Sequence, residues 1–208
     1  MTSQFVHLRV HSEYSLYDST IRVKKLVQAA VDAGMPAVAL TDQANTYALV
    51  KFYKTAMGAG LKPILGADLW LENPDDQMAP FRICVLCVNG DGYKNLRELV
   101  SRGYSQNQHF DKAIVRKEWL FEQSDGLILL SGGRDGDVGQ RIIKGKLEAA
   151  EALVEVASRG VVGVIKDLLK PRQDIPELLG NALTDVDDIH AGLRGKLQGD
   201  LCSRGYHH

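Results

Sequence analysis

Gly34-Met35-Pro36-Ala37-Val38-Ala39-Leu40-Thr41-Asp42 is the stretch that decides the fold. Gly34 followed by Pro36 stops a helix. Ala37 to Thr41 is then a short apolar run with no polar alternation, the pattern of a strand buried on both faces. Asp42 closes it in Thr41-Asp42-Gln43-Ala44-Asn45, so an acid stands at the carboxyl end of a buried strand. Upstream, Val23, Leu26, Val27, Ala30 and Val31 recur at helical spacing across Arg22 to Ala33, and Ser19 or Thr20 can cap the start. Downstream, Thr46 to Ala59 repeats the helical spacing, with Leu49, Val50, Tyr53 and Met57 inward and Gly60 at its end. Pro63 to Leu71 is the next strand.

The same alternation extends in both directions. Phe5 to Val10 reads as the first strand, Phe81 to Val88 as the fourth, Gly92 to Tyr104 as a helix and Leu127 to Ser131 as a further strand. Strands alternating with amphipathic helices argue for βαβ units around a parallel sheet or barrel. After Phe121 the pattern changes. No Phe, Tyr or Trp occurs over the 84 residues before Tyr206, although a chain that is 7% aromatic would carry about six in such a length. Aromatic side chains supply much of a core's buried area. The reading is therefore a domain over 1–152 and a divergent tail over 153–208, with weakly patterned helical pieces at Leu147 to Val156, Val161 to Leu169 and Asp187 to Leu193.

Composition narrows the function. The 208 residues suffice for one domain with a core. The net charge of −1 excludes the broadly basic surface of a duplex-binding domain. No apolar stretch approaches the length of a membrane span and the N-terminus has no signal pattern, so the expectation is a reduced, cytoplasmic protein without membrane contact. Cys84 and Cys87 form a C-x-x-C, but within the apolar run Phe81 to Val88 they read as buried cysteines, and no second pair completes a zinc site.

The residues able to do chemistry stand at strand ends. His11 follows the first strand, Asp18 lies in the loop beyond, Asp42 ends the second strand and Asp68 lies late in the third. In a parallel barrel these ends share one face, where an imidazole and carboxylates can hold a divalent metal that activates water. Taken singly, each Asp is more readily explained as a turn or helix cap, and the shared topological position is what raises the joint case. Ser131-Gly132-Gly133-Arg134-Asp135-Gly136-Asp137 lacks a P-loop lysine and reads as a tight turn. Lys51, Lys54 and Lys62 read as a solvated face, and His207-His208 as a loose end.

Several stretches resemble the PHP (polymerase and histidinol phosphatase) domain that opens the alpha, catalytic, subunit of bacterial DNA polymerase III. The opening Phe5-Val6-His7-Leu8-Arg9-Val10-His11-Ser12-Glu13-Tyr14-Ser15-Leu16-Tyr17-Asp18 is one. Gly60-Leu61-Lys62-Pro63-Ile64-Leu65-Gly66-Ala67-Asp68, Asn89-Gly90-Asp91-Gly92-Tyr93-Lys94-Asn95-Leu96 and Gly126-Leu127-Ile128-Leu129-Leu130-Ser131-Gly132-Gly133 are others. The resemblance covers roughly 4 to 152. It implies a distorted seven-stranded β/α barrel, here incomplete at its C-terminus. It also implies a His, Asp, Glu and Cys cluster that holds up to three metals for phosphoester hydrolysis in metal-binding members.

Carried over, the resemblance puts His11, Asp18 and Asp42 at ligand positions, with Asp68 where Glu is usual. Other ligand positions are substituted: Arg9, Gln43 and Arg82 stand for histidines and Gly133 for a cysteine, while Thr184-Asp185-Val186 is a faint echo of the closing motif. Arginine is cationic and cannot ligate a metal. Arg9 and Arg82 are expected instead to pair with Asp18, Asp42 or Asp68.

The function implied is a structural and partner-docking portion of a replicative polymerase, without a polymerase active site of its own. No cofactor is expected, or a divalent Mg, Mn or Zn if the site is partly retained. The implied partners are the other polymerase subunits, including the proofreading exonuclease, with DNA contacted through the rest of the full-length chain. The alternative is a metal-dependent phosphoesterase. A frameshift or truncated reading frame near Ala152 accounts for the tail.

Overall fold

The structure, a computed structural model, describes residues 5–160, with side chains to residue 154. Six strands are named in chain order: β1 (Ala37–Leu40), β2 (Lys62–Leu71), β3 (Phe81–Cys87), β4 (Gln108–His109), β5 (Lys112–Val115) and β6 (Leu127–Leu130). The helices are α1 (Val23–Asp32), α2 (Leu49–Gly58), α3 (Gly90–Gln106), α4 (Lys117–Glu122), α5 (Asp137–Ile143) and α6 (Leu147–Gly160).

The sheet is mixed, which corrects the expected all-parallel arrangement. β1 runs parallel to β2, and the end of β2 runs parallel to β5. β3, however, is antiparallel to both β2 and β6. The cause is local. No helix separates β2 from β3, and Asn73 reverses the chain by donating its Nδ2–H to Ala79 O at 2.8 Å. Antiparallel neighbours need only such a turn, whereas parallel ones need a long crossover.

Phe5 to Val10 is not a regular strand, a second correction. Ala39 N donates to His7 O at 2.9 Å and Thr41 N to Val10 O at 2.8 Å. The two-residue step from Ala39 to Thr41 therefore spans three residues of the segment, the slip of a bulge. Val10 N is satisfied by Thr41 Oγ1 at 3.1 Å.

β1 is buried throughout, as its unbroken apolar run implies. One face of the sheet gathers Ala37, Ala39, Ile64, Cys84, Leu86 and Ile128, joined by Val6 and Leu8 of the N-terminal segment. The other face carries Val38, Leu65, Leu69 and Val85, all buried, where α1, α2 and α3 pack against β1, β2, β3 and β6. α2 buries Leu49, Phe52, Tyr53 and Ala56. Met57, expected inward, is half exposed because the buried stripe runs through Ala56 instead. Gly34 ends α1 at φ +66°, with Met35 N donating to Ala30 O at 3.0 Å. The N-terminus of α1 departs from expectation. Its cap is Arg22 without a side-chain bond, because Ser19 Oγ is engaged with His11 O at 2.7 Å.

The C-x-x-C pair is resolved by strand geometry. Side chains alternate along a strand, so positions three apart face opposite ways. Cys84 joins the first face, Cys87 cannot share a ligand with it, and both are buried. α6 extends from Leu147 to Gly160. Residues 161–208, which include the helical pieces expected at Val161 to Leu169 and Asp187 to Leu193, Thr184-Asp185-Val186 and His207-His208, lie outside the described residues.

Candidate functional site

Asp68 is the centre of the site. It lies on β2 opposite Cys84 of β3, and the side chain is 1% exposed. Burial alone raises a carboxyl's pKa. Here hydrogen bonds with His11 and Arg9, and their charges, outweigh burial, and the Asp68 pKa is lowered. Arg9 Nε donates to Asp68 Oδ2 at 2.7 Å, and Arg9 Nη2 makes a second, shorter bond to the same oxygen. His11 Nε2 lies 3.0 Å from that oxygen, and His11 Nδ1 lies 2.8 Å from Asp18 Oδ2. Arg82 Nη1 stands behind at 3.8 Å from Asp68 Oδ2. Its guanidinium stacks over the Trp70 ring at 4.5 Å.

Arg9 and His11 converge on one oxygen despite the slip in the N-terminal segment. Residues two apart share a face only in a regular extended chain, and the irregular backbone here still aims both at β2. His11 is pulled down by burial, yet hydrogen bonds with Asp68 and then Asp18 raise its pKa overall. The imidazolium and the Arg9 guanidinium thus both favour the Asp68 carboxylate. Cys84 reports the same dryness: burial first, then the Asp68 charge, push its thiol up to about 12. It is a neutral thiol, not a thiolate ligand.

Asp42 is held apart from this group. It is buried and accepts from Ser12 N at 2.6 Å, Ser12 Oγ at 2.8 Å and Ser15 Oγ at 3.2 Å. Its work is to fasten the 3₁₀ turn Glu13–Ser15, the capping role that the sequence left open for such an acid. Gln43 lies beside Asp68 in an isolated parallel bridge and donates its Nε2–H to Asp68 O at 3.0 Å. Asp68 Oδ1 and Gln43 Oε1 are buried acceptors with no donor. Gly133 is not brought in. It is exposed in the 3₁₀ turn Gly133–Asp135, and a Cβ built there meets nothing within 4 Å.

The donor set does not fit a metal cluster. Among the described residues no group of three or more His, Cys, Asp or Glu side chains is placed to hold an ion. The one buried oxygen shared by His11 and Asp68 is already occupied by a guanidinium. A cation approaching it meets Arg9 and Arg82, whose charge is fixed.

Several contributors were not singled out from the sequence. Ser12 and Ser15 were readable only as turn residues. Lys117 and Arg141 both bind the buried Asp137, the latter from Nε to Oδ1 at 2.8 Å. The Asp137 to Arg141 spacing of four on a helix was the available signal.

Comparison with known proteins places the chain. The PHP domain family matches residues 7–162, and the chain belongs to that family. Its relatives carry the name DNA polymerase III subunit alpha. The protein of Pseudomonas fluorescens is 52% identical over 153 residues, which is 74% of this chain and 13% of the relative. That of Pseudomonas aeruginosa is 49% identical over 154 residues, again 74% and 13%. That of Escherichia coli K12 is 45% identical over 144 residues, 68% and 12%. The chain therefore spans about an eighth of the length of the curated relatives it matches. Among solved structures, an amidohydrolase from Chromobacterium violaceum aligns loosely, at 17% identity and a TM-score of 0.36 over 47% of this chain and 34% of that one, too low to carry an argument.

Proposed function

We propose that the chain is the PHP-domain portion of a replicative DNA polymerase III alpha subunit and that it serves there as a scaffold, without metal-dependent hydrolysis and without a polymerase active site of its own. The observation that carries this reading is the convergence of Arg9 and His11 on Asp68 Oδ2, with Arg82 behind. A guanidinium fork fills the position a metal would need and satisfies the carboxylate with charge-assisted hydrogen bonds. The substitutions at Arg9 and Arg82 are thus compensated in the site. Such a domain is held together by fixed charges and needs no ion.

By the kinship with alpha subunits, the scaffold braces the polymerase portion and docks other subunits, the proofreading exonuclease among them, while DNA is contacted through other parts of the full-length chain. It works in the cytoplasm. The six-stranded sheet is the described part of a distorted β/α barrel that 1–152 leaves incomplete, followed by a divergent tail over 153–208. Support for the barrel is the N-terminal segment lying against β1 on the side away from β2.

The alternative, a metal-dependent phosphoesterase, has one observation in its favour: Asp68 Oδ1 and Gln43 Oε1 are buried acceptors that a small cation or a water can satisfy. Calorimetric titration of the chain with Mn²⁺ and Zn²⁺ separates the two. The scaffold reading expects no saturable heat for either ion, and tight stoichiometric binding sinks it.

A further inference from the structure

The charged group around Asp68 carries the wrong sign for a metal and the right sign for an anion. Trp70 lies two residues beyond Asp68 on β2, on the same face, and pairs with Arg82 of β3 on one side and Ile114 of β5 on the other. Lys112, two residues before Ile114, shares that face. Its Nζ lies 5.0 Å from the Trp70 ring centroid, while the Arg82 guanidinium lies 4.5 Å from it. Trp70 thus holds two cations over its ring, one from each neighbouring strand.

The charges around the ring do not cancel. Arg9 and Arg82 share the single carboxylate of Asp68. Arg116 pairs with Glu72 at 3.9 Å. His11 has Asp18 as its second partner. Asp111, next to Lys112, is turned to the Tyr17 hydroxyl at 3.2 Å. Lys112 has no ion-pair partner among the described residues, and one of the two arginines on Asp68 is in excess. Arg9 is half exposed and Arg82 about a fifth exposed, so both reach solvent.

We infer that Arg82 and Lys112 over Trp70, with Arg9 on the Asp68 carboxylate that it shares with Arg82, form a metal-independent site for a phosphate-type oxyanion. The inference rests on the metal-free reading of the Asp68 group: the same substitutions that remove a cation site leave an anion site beside it. Arg82 offers a planar donor fork, Lys112 a point charge, and the aromatic ring excludes water from one side of both. The shared ligand chemistry is a tetrahedral oxyanion with at least one full negative charge, supplied either as free inorganic phosphate or by the backbone of a nucleic-acid strand.

The test is titration of the full chain with inorganic phosphate in the presence of a chelator. It is followed by calorimetry and by Trp70 emission in a Trp119→Phe background. The expected result is a saturable change for one site. Lys112→Gln and Arg82→Gln each weaken it about tenfold, the loss expected for a charged hydrogen bond. Lys144→Gln, an exposed cation remote in sequence from this face, leaves it unchanged. Lys112→Gln removes no ion pair, so it keeps the test sharp even where Arg82→Gln disturbs folding. Competition by a short oligodeoxythymidylate assigns the natural source to nucleic acid, and its failure assigns it to the free ion; both support the site. No saturable change in chelator overturns the anion site and leaves the scaffold reading intact. Equal weakening by Lys144→Gln also overturns it. Binding that appears only after Mn²⁺ is added overturns the site and the metal-free reading together, and Mn²⁺ binding without phosphate sinks the scaffold reading by itself.

Discussion

Asp68→Asn isolates the interaction that holds the site. The substitution keeps the size of the side chain and one acceptor oxygen but removes the charge that Arg9, His11 and Arg82 share. Breaking a buried ion pair by removing one partner costs roughly 3–5 kcal/mol, because the remaining charge is left uncompensated. Here Asp68 is 1% exposed, but Arg9 is 47% and Arg82 22% exposed, so both cations can turn to water. The low end applies, about 3 kcal/mol. For a domain of this size that is a fall of about 6–12 °C in melting temperature. Asp18→Asn is the control. Among the described residues its carboxylate pairs with His11 alone and is 38% exposed, so the loss stays under about 1 kcal/mol. Urea unfolding followed by circular dichroism measures both, with equal m-values as the check that a single transition is compared. An Asp68→Asn variant as stable as the parent, or one no worse than Asp18→Asn, would refute the view that this carboxylate anchors the charged group.

The remaining predictions address other features. Stability should depend on pH from two sides: the lowered pKa of Asp68 contributes above the unfolded carboxyl value near 4 and is lost as pH falls through the folded value. The raised pKa of His11 contributes fully below the unfolded value near 6.5 and is lost as pH rises through the folded one. Unfolding curves should therefore peak between about pH 4.5 and 6.5, and His11→Gln should flatten the alkaline limb; an unchanged limb contradicts the assignment. Phe110 sits at φ +53° in the two-residue turn between β4 and β5 and is largely exposed, so Phe110→Gly should raise stability by about 1 kcal/mol in thermal melts. Ser12→Ala strips one of the donors from buried Asp42 and should cost about 1–3 kcal/mol in the same urea assay. Gly132→Ala places a Cβ 2.0 Å from Arg82 O at a φ of +71°, and should fall outside the range of a surface change, beyond about 2 kcal/mol.

What the sequence determined by itself was local. Apolar runs and helical spacings located β1, β2, β3, β6 and helices α1, α2, α3 and α6 to within a few residues, because side-chain periodicity is written directly into the chain. β5 is as long as β1 and β6 but opens on Lys112, which leaves an apolar run of only Ala113 to Val115, and β4, with two residues, is too short to show a period. α4 and α5, of six and seven residues, escaped for the same reason. The residue types also ruled ligation out at Arg9 and Arg82, since a guanidinium keeps its proton wherever it is placed.

Tertiary structure decided the partners. Asp18, Asp42 and Asp68 were equal candidates along the chain, yet only Asp68 receives the arginines. Asp42 faces the backbone and hydroxyls of the turn that Ser12 and Ser15 bring to it, and Asp18 reaches His11. The direction of β3 was equally a tertiary outcome, fixed by the Asn73 turn. That reversal sets Arg82 beside Trp70 and Cys84 opposite Asp68. Pairings across a sheet depend on register between segments distant in sequence, and no single segment's periodicity contains that information.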